Sequence, residues 1–165
     1  MLSSVGAGEP RIAYLIKRVE RGLRSELDVA LAECGVTTPE YTALSILRER
    51  EGLSSAQLAR RVFVTPQAMN LIVLELESRG LIRRKASEAH ARTMHVTLTA
   101  KGAACLEACD EKTLPVEDRF LSVFSRSDAV TLRRVLTVCE RSLFERAHGD
   151  GADGPRRDVS SSQGK

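Results

Sequence analysis

Apolar residues recur along this chain at intervals of three and four, the spacing that lines side chains up on one face of a helix. After Pro10, which suits a first helical turn, Ile12, Leu15, Ile16, Val19, Leu23, Leu27 and Leu31 form one such stripe. Gly22 weakens this helix without ending it, and Cys34-Gly35 closes it, with the glycine as a C-cap. Thr38-Pro39-Glu40 starts a second helix with a cap followed by proline, burying Tyr41, Leu44 and Leu47, and Gly52 marks the next break. A third opens at Ser54, where Gln57 completes a capping box, and turns Leu58, Ala59 and Val62 inward. Phe63-Val64 makes a short turn before Thr65-Pro66 begins a fourth, with Met69, Ile72, Val73 and Leu76 inward and Gly80 at its end.

The period then changes. Leu81 to Lys85 is apolar turning basic, and Thr93 to Leu98 alternates and is rich in β-branched residues, so the two read as strands of a hairpin around a polar Ala86–Arg92 segment. Thr99 caps a fifth helix over residues 100–120, which Pro115 is expected to kink or divide. Ser125 or Ser127 caps a sixth, carrying Leu132, Val135, Leu136, Cys139 and Leu143 at helical spacing. The expected fold is therefore mainly α with a small β-wing: four helices, a hairpin and two helices. Residues 1–9 are expected to be a flexible N-terminus. Residues 148–165, without apolar periodicity, are expected to form a disordered tail.

Composition bounds this picture. With 165 residues, 42% apolar and 28% charged, the chain fits one soluble globular domain. No run approaches the ~18 apolar residues of a membrane helix. Met1 to Pro10 carries no Lys or Arg and is not read as a secretory signal. Four cysteines are too few for a disulfide scaffold, which points to a reduced, cytoplasmic protein. Aromatics at 4% and the absence of Trp argue against stacking platforms for single-stranded nucleic acid. The net charge is only +3, but Leu58 to Lys101 holds eight Lys or Arg against three acids, so this stretch is +5 and the rest −2. Charge concentrated in this way attracts polyanions.

Two helices joined by so short a turn, followed at once by a basic hairpin, make a winged helix-turn-helix over residues 53–98. A helix fits the major groove and reads base edges from its N-terminal residues. Thr65, Gln67, Ala68, Asn70 and Leu71 lie off the apolar stripe of the fourth helix. Gln and Asn can each pair bidentately with adenine, worth ~1–3 kcal/mol of discrimination. Ser54, Ser55 and Thr65, with the backbone N–H groups of their helix starts, suit phosphates. Arg84 adds charge on the wing, and Arg92 at the hairpin tip suits a narrow minor groove.

The runs Leu58-Ala59-Arg60-Arg61 to Thr65-Pro66-Gln67-Ala68-Met69, Leu76-Glu77-Ser78-Arg79-Gly80-Leu81-Ile82-Arg83-Arg84, and Arg92 to Gly102 resemble the DNA-binding core of the multiple-antibiotic-resistance-regulator (MarR) family. The likeness extends over about residues 10–147, which would form the regulator domain. It implies a homodimeric, ligand-responsive repressor on a palindromic operator in double-stranded DNA. Dimerisation helices would come from residues 10–35 and 100–147, interleaving across the dimer. The wing departs from the family pattern: His90-Ala91-Arg92 stands where Asp-Arg-Arg is usual. The minor-groove Arg is kept while the Asp that orients it is lost. His90 can hold a phosphate only when protonated. Leu71, at a position where many members have Arg or a small residue, suits a thymine methyl. The family's effector site implies a pocket, for which Tyr14, Arg18 and Tyr41 are candidates, Arg18 pairing a carboxylate.

Other chemistry is weaker. Cys105 and Cys109 lie four apart, with His90 and His95 on the hairpin, but the spacing fits no zinc-finger pattern. A redox thiol needs a basic neighbour, and Cys34 has Glu33 beside it; Cys34, Cys105, Cys109 and Cys139 default to ordinary thiols. The tail pair Arg156-Arg157 reads as a solvated linker. No Gly-rich phosphate loop, H-E-x-x-H or G-x-S-x-G occurs, so neither an enzyme nor a cofactor is expected. The competing readings are an architectural or protein-interaction winged-helix protein without sequence readout, and a zinc-dependent regulator.

Overall fold

A helix begins cleanly where a side chain can accept one of its unpaired N–H groups. Serine or threonine does this at five of the six helices among the described residues. The computed structural model describes residues 10–86 and 94–148, with side chains of the last helix through Leu143. The elements are α1 (Ile12–Ala32), α2 (Thr38–Glu49), β1 (Leu53–Ser54), α3 (Ser55–Val62), α4 (Pro66–Ser78), β2 (Ile82–Ala86), β3 (Met94–Leu98), α5 (Ala100–Leu121) and α6 (Arg126–His148). The hairpin tip with His90 and Arg92, the first nine residues and the tail lie outside the described residues. The chain divides into two units, one running to Phe120 and the other from Leu121. No helix among the described residues is long and apolar enough to cross a membrane.

Within the first unit, the cap of α2 falls one residue earlier than the sequence suggested. Thr37 accepts the Glu40 N–H and receives the Glu40 carboxylate on its own N–H (2.7 Å), so Thr37 and not Thr38 makes the capping box. Thr38 instead hydrogen-bonds Asp28 of α1. Ser54 and Gln57 form the expected box on α3, and Thr65 accepts the Ala68 N–H on α4 (3.1 Å). Only α1 starts without a side-chain cap: Pro10 stands outside it and Arg11 occupies the cap position. Its other end closes as foreseen. Gly35 takes φ +63°, its N–H bonds the Ala32 carbonyl and the Val36 N–H reaches back to Leu31, a Schellman closure that stacks buried Val36 on buried Leu31.

The apolar stripes meet in one core. Leu44 and Leu47 of α2, Leu58 of α3, Met69 and Leu76 of α4, and Leu106 of α5 are fully buried, and Ile82 and Val96 close it from the sheet. That sheet has three strands where a two-stranded hairpin was expected. Leu53 and Ser54 pair antiparallel with Val96 and His95, so β3 is central, between β1 and β2. The extra strand ties the entrance of the helix-turn-helix to the wing. Pro115 does not divide α5, which runs unbroken through it. Pro115 and Glu111 both face solvent, where water can satisfy the carbonyl that proline leaves unpaired.

α1, by contrast, is bare over its first turns: Ile12, Leu15, Ile16 and Val19 are 41–70% exposed. In the second unit, Ser125 rather than Ser127 caps α6, accepting the Asp128 N–H (3.2 Å). None of the described side chains of α6 is buried, Val135, Leu136 and Leu143 included.

Two positions test the packing. A Cβ on Gly102 would stand 2.0 Å from the Leu81 carbonyl oxygen, which is backbone and cannot step aside. Gly102→Ala is expected to cost about 3 kcal/mol or more in urea unfolding. Phe63 sits in the left-handed region at φ 58° with 80% of its surface exposed. Phe63→Gly is therefore expected to gain about 1 kcal/mol.

Candidate nucleic-acid interface

The turn Phe63-Val64 is tight because Phe63 adopts the left-handed conformation and the Val64 N–H returns to Ala59 (3.1 Å). It sets the start of α4 outward. Met69, Val73 and Leu76 hold the helix in the core, while Thr65, Gln67, Asn70 and Leu71 stand exposed and Ala68 is half-buried. The two faces of α4 thus separate packing from presentation, as a recognition helix requires.

The predicted contact residues fall into two groups. Ser54, Ser55, Asn70 and Arg84 line one open groove of about 650 Å³ between the start of α3, the outer side of α4 and the sheet. Gln67 and Leu71 project from α4 outside the lining of this groove.

Hydrogen bonds already made refine what each can do. The Ser55 hydroxyl donates to the Asn70 side-chain oxygen (2.8 Å), which holds the Asn70 amide against α3 and leaves its NH2 donors and a second oxygen lone pair facing outward. The Gln67 side chain takes no part in the cap of its helix, where Thr65 accepts the Ala68 N–H. Thr65 and Ser54 use an oxygen lone pair as caps and retain a hydroxyl proton to offer a phosphate.

Arg84 is a clamp as well as a charge. Its Nε donates to the Glu77 carboxylate (2.8 Å) and its backbone N–H to the other oxygen (3.3 Å), fastening β2 to the last turn of α4. The hydrogen bond from Arg84 holds the Glu77 carboxyl below its ordinary range, and the carboxylate raises the guanidinium in turn. At the same end of α4, Arg79 approaches the buried Glu40 of α2 (3.9 Å). Neither acid was singled out in the sequence, since each partner comes from a different element and leaves no periodic trace.

The three effector candidates do not form one set. Arg18 lies over the Tyr14 ring (5.8 Å to its centre) on exposed α1, and Arg18 lines a groove with Val116 and Arg119 of α5 that neither tyrosine lines. Tyr41 is committed elsewhere: its hydroxyl donates to Asp110 (2.8 Å), which also receives Arg48 (2.5 Å), and it meets Thr113 (3.3 Å). Burial, with Asp110 beside it, pushes the Tyr41 phenol above its usual range. A different groove, about 300 Å³, opens between α1, the start of α2 and the helix-turn-helix turn, lined by Leu23, Arg24, Leu27, Thr38, Pro39 and Phe63 among others.

Residues 35–93 match the model of the MarR family. The HTH-type transcriptional repressor Rv2887 of Mycobacterium tuberculosis is 37% identical over 130 residues, 79% of this chain and 94% of the relative. The solved structure of that M. tuberculosis MarR family protein with salicylic acid has TM-score 0.69 at 36% identity, covering 81% of this chain and 99% of the other. Its complex with DNA has TM-score 0.66 at 33% identity, over 79% and 98%.

The clamp makes a prediction with a defined sign. A carboxylate whose pKa is lower folded than unfolded adds stability above the unfolded value of about 4.3 and loses it as pH falls through the folded value. Glu77→Gln is expected to unfold at lower urea than the parent at about pH 7, and by a smaller margin at about pH 4, where part of the pair's contribution is lost. Coincident midpoints at both pH values would show that the Arg84–Glu77 pair holds nothing.

Proposed function

The chain belongs to the MarR family, and from that premise we propose that it is a transcriptional regulator that binds a palindromic operator in double-stranded DNA as a homodimer and releases it to a small-molecule effector. The observation that carries this reading is α4, pinned along one face by Met69, Val73 and Leu76 and offering Gln67 and Leu71 on the other. The work is binding rather than catalysis, in the cytoplasm. Gln67 reads an adenine edge, Leu71 packs on a thymine methyl, and Asn70 donates to a purine N7 or a thymine O4. Ser54, Ser55 and Thr65 hold phosphates, with Ala68 bringing the backbone of α4 close to the groove. Arg84 draws the wing against α4, and His90 and Arg92 belong to the wing's contact with DNA.

The bare apolar faces of α1 and of α6 are what a second copy covers. On this reading residues 10–35 and 100–147 are dimerisation helices around a DNA-binding unit at 53–98. Two-fold symmetry demands half-sites about 10 base pairs apart, so any shift in the separation of the two units misaligns both α4 helices.

The effector is a small aromatic acid, the class of ligand held by the M. tuberculosis relative. The groove lined by Leu23, Leu27, Pro39 and Phe63 supplies the apolar walls, and Arg24 supplies a partner for the carboxylate. Arg24 now lies 3.8 Å from Glu20, a loose exposed pair that a ligand can replace.

Selection of bound fragments from random duplexes at ~150 mM salt is expected to return a palindrome with that spacing. Return of no motif would favour an architectural protein. On the selected operator, Gln67→Ala should relax one base position per half-site by about 1–3 kcal/mol. Arg92→Ala should weaken binding on every sequence and reduce the salt slope by about 1 per site. Salicylate should release the operator from the parent, and Arg24→Gln should require roughly tenfold more, a loss of about 1.4 kcal/mol.

A further inference from the structure

On the outer face of α4, Asn70 is tied to another helix. Ser55, half-buried at the first position of α3, gives its hydroxyl proton to the Asn70 side-chain oxygen across 2.8 Å. Both ends of this bond are anchored. Ser55 follows directly on the Ser54–Gln57 capping box, and Leu53 and Ser54 before it pair with β3. Asn70 follows Met69, which is fully buried, and Met69 and Val73 share a core with Leu58 and Val62 of α3. The exposed amide is therefore set by the packing of two helices beneath it.

A side-chain amide has two nearly isosteric ends, an oxygen that accepts and an NH2 that donates, and a half-turn exchanges them. An untied Asn can thus meet a base acceptor or a base donor. The bond from Ser55 removes that choice. With its oxygen held at α3, the amide directs NH2 away from it; a half-turn would take from the Ser55 proton the acceptor it has among the described residues. In the major groove, purine N7, guanine O6 and thymine O4 are acceptors, whereas cytosine offers only its N4 donor. An NH2 group set toward cytosine leaves donor facing donor, both unpaired. The second lone pair on the Asn70 oxygen still suits a donor beside an acceptor, as adenine N6 lies beside N7. A hydroxyl has one proton, and this one is given to Asn70. A phosphate at this end of α3 is left to the backbone N–H groups of the first turn.

We propose that Ser55 is a positioning residue that sets base preference: its hydroxyl fixes the Asn70 amide with NH2 toward the DNA, so that Asn70 selects a purine or thymine and rejects cytosine at the base it faces. The side chain is ordered before DNA arrives, which removes that cost from binding. The effect on base preference rests on the DNA-reading function above; the tether itself does not.

The test has two arms on the full chain. In the first, 15N relaxation of the Asn70 side-chain NH2 is measured in the free protein. It is expected to be as ordered as the α4 backbone in the parent and in Ser55→Thr, which keeps the hydroxyl, and mobile in Ser55→Ala. In the second, each protein is titrated with the selected operator and with the operator carrying cytosine at the position that Asn70→Ala relaxes. The parent and Ser55→Thr are expected to reject cytosine roughly tenfold, and Ser55→Ala to bind both duplexes about equally. Ser55→Ala is expected to add nothing in the Asn70→Ala background and to leave the salt slope of the parent unchanged. Equal weakening of Ser55→Ala on every duplex with a shallower salt slope overturns the proposal, since the hydroxyl then holds a phosphate. Retention of the parent's base preference by Ser55→Ala overturns it too, as does an Asn70 NH2 equally mobile in the parent and in Ser55→Ala. An ordered Asn70 amide in a parent that prefers no sequence is instead a failure of the regulatory reading.

Discussion

The contact on which this structure depends is the approach of Gly102 to the carbonyl of Leu81, close enough that no side chain fits between them. It brings the first turn of α5 onto the turn that joins α4 to β2. Three further bonds close the same junction. The Thr99 hydroxyl donates to the Gly80 carbonyl (2.8 Å), its oxygen accepts the Gly102 N–H (3.0 Å), and Lys101 reaches the Arg79 carbonyl (2.7 Å). β3 runs straight into this cap, so the central strand of the wing, the end of the recognition helix and the start of α5 share one rigid corner. A displacement of α5 reaches the end of α4 through that corner without crossing a flexible loop.

α4 is held at both ends as well as along its face. Thr65 caps its start, Ser55 ties Asn70 to α3, and Arg79 and Glu77 fasten its last turn to α2 and β2. Glu40 serves twice there, as the capping partner of Thr37 and as the acid facing Arg79. A carboxylate so deeply buried tolerates its charge because N–H, O–H and guanidinium groups surround it. The helix-turn-helix and the described strands of the sheet are therefore held as one block.

Local signals in the chain carried most of the fold. Ser54, Thr65, Thr99 and Gly35 act where they stand, through neighbours within a few residues, and the structure places each as expected. What escaped depended on distant partners. β1 is two residues long, too short for any alternation, and exists because β3 has a free edge beside it. Tyr41 looked like a lining residue because nothing nearby announces Asp110. Thr37 was separable from Thr38 locally, through Glu40 three residues on, a signal that the Thr38-Pro39 pair obscured; the bond from Thr38 to Asp28 on another helix needed the fold. Among the candidate contacts, Asn70 and Arg84 were named on residue type alone. Their ties to Ser55 and Glu77 needed the fold.

The outward face of α4 has a consequence for how such a protein diversifies. Gln67 and Leu71 support no cap, ion pair or buried contact of their own helix, and Leu71 is 69% exposed. Under the proposed function, exchanging them alters what is read with little effect on folding, because surface substitutions away from structural features usually fall within about ±0.5 kcal/mol. Asn70 lacks that freedom, being mortised to Ser55. On that proposal, descendants of this chain acquire new operators stepwise at two interchangeable positions, each intermediate folded, while the third changes only together with its neighbour on α3.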